Sequence, residues 1–525
     1  MKIKSLWVSE YKNLKNIDLK FNSDLITLLV GQNGLGKSNL IEIFGTIFQS
    51  IDLFKTEEEI INWSRKLIDN HFEYSINYEC NDNDINITVK DDFYEIKSRS
   101  ITSNEVTLFD FKKFFKHKNQ VLPKFIIGYY SGENKRIKKI VETHERKEKN
   151  NQINYFRRKT KPNQELRKIF FAESQHGKLI LLTLALYKNH LQYGKIISKL
   201  FNEYLNINEV NNFKIVFNNP KSKGYIFLEK GIEEFPNKFY SDRDDDKNPF
   251  WNLKGKLHTL LSVFYDYGMN ENKVSTYLNE NEYRGRHIRE IMELEKIDIQ
   301  IFQEYICDKF ERPLDFFDAL ESAQVMDVLT DIEIYVGNES NSVNFSGLSE
   351  GQLQLITVIG LILITGNKDC LFLFDEPDTH INPKWQRIFV DIIKEFNFNG
   401  NHSHVFVATH SPLIVQSYED NDLFLFRKEA DQIIIDTDNH KIINWRIDQV
   451  LLSEYFELPN ARPRYLDDFM FKRLEIIEKR ELSEEDVIEL KKHENDFNVL
   501  PTGETLTDIK TLITINKITD KFDGI

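Results

Sequence analysis

One octapeptide constrains this chain more than any other feature: Gly31-Gln32-Asn33-Gly34-Leu35-Gly36-Lys37-Ser38, which fits G-x-x-x-x-G-K-[ST]. It follows Leu25–Val30, a continuous apolar run of the kind expected for a strand buried on both faces. An apolar-periodic helix follows, from Ser38 to about Phe48. Strand, glycine turn and helix form the context in which this motif carries chemistry. Gly34 and Gly36 let the backbone N–H groups around Asn33 point into one concavity. The helix N-terminus adds its dipole to that anion cradle. Lys37 offers a point charge to β- and γ-phosphates, and the Ser38 hydroxyl is placed to ligate Mg²⁺.

Three further motifs lie far downstream. Leu371-Phe372-Leu373-Phe374-Asp375-Glu376-Pro377 reads as a buried strand that delivers Asp375 to the Mg²⁺ shell. Glu376, one residue beyond, can polarise an attacking water. Leu348-Ser349-Glu350-Gly351-Gln352, with Gln354 behind it, opens a helix. Taken alone, Ser349 there is an ordinary N-cap; its hydroxyl, the Gly351 amide and Gln352 also make a terminus suited to an anion. This element stands 370 − 349 = 21 residues ahead of Cys370 and the acidic strand. Val405-Phe406-Val407-Ala408-Thr409-His410-Ser411-Pro412 is a second buried strand, ending in a polar turn that carries His410.

Composition narrows the classes. The net charge of −14 argues against a protein that coats nucleic acid with its whole surface, although a local basic groove stays open. Cys80, Cys307 and Cys370 are far apart with no CxxC, which excludes a disulfide scaffold and a cysteine zinc site and fits a reducing cytoplasm. The longest apolar run, Leu355–Thr365, is short of the roughly 20 residues needed to span a bilayer, so no membrane role is expected without a partner.

Along the chain, Phe72–Glu79, Ile85–Val89 and Phe93–Lys97 read as an antiparallel meander, and Phe125–Tyr130 as another buried strand. From Lys135 to about Lys161, Lys, Arg, Glu and Asn replace apolar periodicity, as in an exposed loop or a frayed helix. Glu165–Leu205 and 253–323 read as mainly helical. Between them lie a possible hairpin, Phe213–Phe217 with Tyr225–Leu228, and a solvated loop, Ser241–Lys247. Strand character returns at Ile332–Val336, and the tail from about Trp445 reads as helical and charged.

In this order the four motifs resemble the ABC ATPase superfamily. The resemblance implies ATP and Mg²⁺ as cofactors. It also implies a γ-phosphate contact for His410 and a signature (Ser349, Gly351, Gln352) that touches the γ-phosphate held by the opposite protomer, hence a homodimer or higher homo-oligomer through ATP-sandwiched heads. Lys37 and Ser349 are 349 − 37 = 312 residues apart, much further than in transporter nucleotide-binding domains. Heads of the SMC, RecF and OLD-like group are split in this way, and the long coiled coil and zinc hook of SMC-like proteins are missing. Asp375-Glu376-Pro377-Asp378-Thr379-His380-Ile381-Asn382-Pro383 resembles that group's DEP-x-x-x-L-H-P segment, departing at Ile381 and Asn382. Tyr11-Lys12-Asn13-Leu14 resembles its first turn. Asn382-Pro383-Lys384-Trp385, the compact insert and Leu500-Pro501 bring the chain nearest the Septu-type PtuA ATPases of anti-phage defence, which work with a separate HNH nuclease.

The expected fold is α/β: an ABC-type head assembled from both chain ends (1–135 and 326–430), a mostly helical insertion (136–325) and a helical C-terminal region (431–525) that offers a partner surface. The expected function is an ATP-hydrolysing regulator of a nuclease, with DNA as a possible further partner and a cytoplasmic setting. A RecF-like DNA-repair clamp is the alternative, and an OLD-like ATPase-nuclease a lesser one. For the last, Asp436-Thr437-Asp438 stands where OLD nucleases carry a D-x-D, but the Glu-Gly and glycine-rich alternation expected of a Toprim domain are missing and a hairpin turn accounts for it better. Tyr129–Asn134 occupies the expected place of the lid loop but holds no glutamine, so that role is unassigned.

Overall fold

The computed structural model describes residues 1–522 apart from 60–71, 133–141, 148–166, 219–252, 277–286 and 497–505, and shorter breaks of up to five residues. The chain divides into two compact units, Met1–Asn444 and Trp445–Ile525. In chain order the strands of the first unit begin with β1 (Lys2–Tyr11), β2 (Leu14–Lys20), β3 (Ile26–Gly31), β4 (Tyr74–Cys80), β5 (Asn83–Lys90), β6 (Phe93–Ser100) and β7 (Val106–Phe109). Then come β8 (Phe125–Tyr130), β9 (Ile169–Ala172), β10 (Val210–Asn218), β11 (Val274–Thr276), β12 (His287–Glu295), β13 (Leu329–Asn338) and β14 (Asn341–Asn344). The last are β15 (Cys370–Asp375), β16 (Ser403–Ala408), β17 (Leu423–Glu429) and β18 (Gln432–Asp436).

A seven-stranded sheet in the order β18-β17-β3-β16-β15-β8-β9 draws its strands from both ends of this unit. Six of them run parallel, and β18 joins antiparallel through a hairpin with β17. β3, β15 and β16 are buried along their whole length, as expected of parallel strands covered on both faces. Register then decides what shares an edge. Asp375 lies opposite Tyr130 on one side and Ala408 on the other, Ala408 lies opposite Leu29, and Gly31 lies opposite Phe426. The first motif, the acidic strand and the switch strand therefore end at one carboxyl edge, where open parallel sheets place their ligands.

A six-stranded antiparallel sheet, β2-β1-β4-β5-β6-β7, shows the alternating burial of a sheet with one covered face. The helix Lys37–Leu53 shares one core with both sheets: Ile41, Phe44 and Ile47 pack with Leu29, Leu373 and Phe406 and with Ile3, Leu6 and Ile76. Phe44 packs on Phe406 at a tilt and Phe21 edge-on, with ring centroids 4.7 and 5.3 Å away. Each ring buried there contributes roughly 1.5–3 kcal/mol, which anchors the helix that carries the glycine turn.

Three local expectations need correction. Residues 432–436, within the region 431–525 read as helical, form β18, which pairs antiparallel with β17 in the main sheet. Residues 169–172, read as part of a helical stretch, form β9, which extends the main sheet beside β8. All four are buried, and a short apolar run cannot be assigned by periodicity alone. Residues 287–295, within a stretch read as helical, form β12, which pairs antiparallel with β10. Helices Lys256–Gly268, Lys296–Lys309 and Pro313–Val325 occur where helix was expected. To them the structure adds a five-stranded sheet, β11-β12-β10-β13-β14. Phe213–Phe217 lies in β10, but its neighbours are β12 and β13, from far along the chain. The expected partner strand 225–228, the loop 241–247 and most of 135–161 lie outside the described residues.

The second unit consists of helices Ile447–Leu452, Asp467–Glu478, Glu484–Asp496 and Leu506–Phe522. Ile476, Leu490, Ile509 and Ile513 form its small core. Among the described residues, no helix is long and apolar enough to cross a membrane.

Candidate nucleotide and metal site

The glycine turn is held open by backbone conformations that side chains resist. Gly31, Gly34 and Gly36 have φ of 140°, 81° and 101°. At Gly31 a Cβ would stand 2.5 Å from the Phe426 carbonyl oxygen, and at Gly36 it would stand 2.8 Å from Leu14. Asn33 and Gly34 are exposed at the crest of the loop. The Lys37 ammonium donates to the carbonyls of Gly31 at 2.7 Å and Gln32 at 3.0 Å. Burial pulls its pKa down to about 8, against the attraction of Asp375 and Glu376.

A residue that the motifs did not assign steadies this loop. Asn13 donates its side-chain amide to the Gly34 carbonyl at 2.8 Å and accepts from Asn39 at 2.6 Å. Lys12 beside it, at φ 55°, pairs with Glu42 of the helix. The signal was the Tyr11-Lys12-Asn13-Leu14 turn, noted in the sequence but given no role.

Asp375 is 1% exposed at the end of β15 and accepts a hydrogen bond from Ser38. Its other oxygen, Oδ2, is buried and has no hydrogen-bond partner. Burial pushes its pKa up to about 6. A hydroxyl and a carboxylate oxygen with a spare lone pair fit Mg²⁺, a hard cation that takes few protein ligands and completes its shell with phosphates and water. Among the described residues, no group of three or more His, Cys, Asp or Glu converges as an all-protein cage would.

The sign of the pH dependence follows. A raised carboxyl pKa contributes stability below the unfolded value of 3.8 and loses it as pH rises through about 6; a cation that binds only the ionised form reverses that loss. Mg²⁺ in the presence of ADP is therefore expected to raise the melting temperature above about pH 6 and to lose that effect below it. Asp378 titrates in the same window, so Asp375→Asn is the control and abolishes the Mg²⁺ increment. An increment that is equal across pH and survives Asp375→Asn removes Asp375 from the metal site.

Glu376 follows Asp375 in the left-handed conformation, φ 52°. Its N–H donates to Ala408 O at 2.9 Å. Its own carbonyl accepts from Gln354 at 3.2 Å and from Thr379 Oγ1 at 3.0 Å. The carboxylate faces the switch turn, with His410 Nε2 3.6 Å from Glu376 Oε1. Burial first, and the Lys37 charge second, lower the His410 pKa, which keeps the ring neutral at pH 7. At the lid-loop position, the Ser131 N–H donates to the Asp375 carbonyl at 3.3 Å.

The signature forms a capping box. Ser349 Oγ accepts from the Gln352 N–H at 3.3 Å, and the Gln352 side chain accepts from the Ser349 N–H at 3.0 Å. Gln352 Nε2 also donates to Leu205 O at 2.8 Å, at the end of the π-helix Leu200–Leu205. A Cβ on Gly351 would stand 2.5 Å from the His380 carbonyl, so only glycine lets this helix approach the turn after β15 so closely. Ser349 is exposed, and none of these hydrogen bonds goes to the glycine turn. The structure thus gathers Lys37, Ser38, Asp375, Glu376 and His410, while Ser349 and Gln352 bond to each other, Gln352 also to Leu205, and buried Gly351 packs against the turn after β15.

A family model described as "AAA domain, putative AbiEii toxin, Type IV TA system" matches residues 26–416, from β3 to beyond His410. Similar solved structures include the SMC head domain from Thermotoga maritima (13% identity, 83% of this chain and 98% of that chain, TM-score 0.30). Another is an Smc head domain with an extended coiled coil bound to the C-terminal domain of ScpA, derived from Pyrococcus furiosus (11%, 83% and 96%, TM-score 0.33). A third is the SmcHead bound to the C-winged helix domain of ScpA (11%, 83% and 97%, TM-score 0.32).

Proposed function

Because the chain belongs to this AAA-domain family, we propose that it is a Mg²⁺-dependent ATP hydrolase whose heads pair around two ATP and whose opening and closing control a separate nuclease in anti-phage defence. The observation that carries the hydrolase is the buried Asp375, bonded to Ser38 on one side and free at Oδ2 on the other, next to Lys37 and Glu376. Ser38 and Asp375 would hold Mg²⁺, which would neutralise developing phosphate charge. Lys37 binds the β- and γ-phosphates. Glu376 takes the proton of the attacking water, and neutral His410 offers one ring N–H to the γ-phosphate.

Pairing is supported by the exposed Ser349, whose hydrogen bonds stay within its own turn. The bond from Gln352 to Leu205 supports a mechanical output, since any movement of the signature is felt by the insert. Control of a separate nuclease is supported by the sequence resemblance alone. Asp436, the first acid of the D-x-D pattern, accepts from Arg427 at 2.6 Å across the β17–β18 hairpin; Asp438 lies outside the described residues.

The purified chain is expected to hydrolyse ATP and leave DNA intact with Mg²⁺ or Mn²⁺, and a nuclease is expected to co-purify from the native host. DNA cleavage by the chain alone that Asp436→Ala abolishes would restore the ATPase-nuclease reading. No recovered nuclease, with loss of DNA-damage tolerance on deletion, would favour the repair clamp.

A further inference from the structure

The switch strand ends in Thr409-His410-Ser411, and this turn is tied at several points to the turn that carries Glu376. Fully buried Thr409 donates its hydroxyl to Asp378 Oδ2 at 3.0 Å. The same hydroxyl oxygen accepts the Ser411 N–H at 2.9 Å. Ser411 Oγ donates to Gln386 Oε1 at 2.8 Å, and the Gln386 amide donates to the carbonyls of Asp378 and Ile381, each at 3.0 Å. His410 sits between Thr409 and Ser411, so its backbone is clamped on both sides, while its ring stands 3.6 Å from Glu376.

Asp378 is an expensive residue for that clamp. It is 5% exposed, and Oδ1 is buried with no hydrogen-bond partner beyond the residue's own amide. Burying a carboxyl group costs more than burying an amide or an apolar side chain, and a fold that needed only to fill this space would be served as well by a neutral residue. What the acid supplies is a strong, one-directional acceptor that fixes the Thr409 hydroxyl, leaving the hydroxyl oxygen to receive Ser411.

We infer that Asp378 is a positioning residue for ATP hydrolysis, acting through Thr409 to hold His410 at its distance from Glu376. The inference rests on the proposed hydrolase. The chemistry needs both side chains to flank one γ-phosphate, and a misplacement of about 1 Å costs on the order of 10²-fold in rate. Loss of the clamp should therefore lower kcat and leave ground-state nucleotide binding in place.

The test compares Asp378→Ala, Thr409→Val and Thr409→Ser in the full chain. Steady-state kcat and KM are measured together with Mg-ADP affinity by calorimetry. Asp378→Ala and Thr409→Val are expected to lower kcat by roughly 10- to 100-fold with Mg-ADP affinity within about twofold of wild type. Thr409→Ser, which keeps the hydroxyl, is expected to recover most of the turnover lost in Thr409→Val. Combining Asp378→Ala with His410→Ala should cost little more than His410→Ala alone, because both remove the same contribution. Two multiplicative losses in that double variant, or an unchanged kcat in Thr409→Val, would overturn the inference while the hydrolase stands. A wild-type chain that turns over no ATP would overturn the hydrolase reading itself, and the inference with it.

Discussion

Glu376→Gln is expected to bind Mg-ATP as the wild type does and to turn it over roughly 10² to 10⁴ times more slowly, the range lost when a positioned general base is removed. The geometry gives a reason to expect a clean result. Glu376 is held in a left-handed conformation that costs a non-glycine residue about 1–3 kcal/mol. The conformation persists because its backbone is fixed three ways: its N–H to Ala408, and its carbonyl to Gln354 and Thr379. Glutamine keeps the backbone and nearly the whole shape of the side chain, so these bonds and the fold should survive. What is lost is the acceptor for a proton, placed 3.6 Å from His410. Single-turnover hydrolysis and equilibrium binding of ATP, measured on the same preparation, separate the two effects. Loss of binding in step with loss of turnover would mean that Glu376 holds the nucleotide; unchanged turnover would remove it from the chemistry.

Why the nucleotide edge and the helices of the insert were readable in the sequence, and the insert's sheet was not, has a physical cause. Strands β3, β15 and β16 are buried on both faces, so they appear as mainly apolar runs without strict alternation, each punctuated by a polar turn. The punctuation carries the chemistry. Gly31–Ser38, Asp375-Glu376 and His410 all stand directly after such a run, and parallel pairing in register brings the turns to one edge. Long-range pairing hid the rest. β9 is four buried residues that gain strand structure only from β8, and β12 finds its partner, β10, across a long stretch of chain. No local pattern encodes such pairings. The supporting residues were hidden for another reason. Asn13 and Asp378, in turns, and Gln354, in the helix Glu350–Thr365, act on backbone groups or on neighbouring side chains, and as single polar residues they carry no spacing that announces a role.

The proposed completion of the site across two protomers has the widest consequences, because it would make nucleotide binding, pairing and output one event. Within a protomer, the hydrogen bonds of Ser349 and Gln352 are made to each other and to Leu205, and none goes to the glycine turn. Ser349→Arg places a bulky side chain at the anion-binding helix end and should block closure. Lys37→Ala should remove the positive charge that holds the ATP phosphates. Each variant alone is expected to lose nearly all turnover. When the two are mixed, half of the dimers pair one chain of each kind. Such a dimer has one site with both defects and one site with an intact Lys37 facing an intact Ser349. ATP turnover of the equimolar mixture is therefore the most direct measurement. Recovery of about a quarter of wild-type turnover, from one working site in half of the dimers, is the predicted result. A mixture as inactive as its components, or wild-type turnover per chain that is independent of protein concentration in a chain that remains monomeric with ATP, would contradict the account.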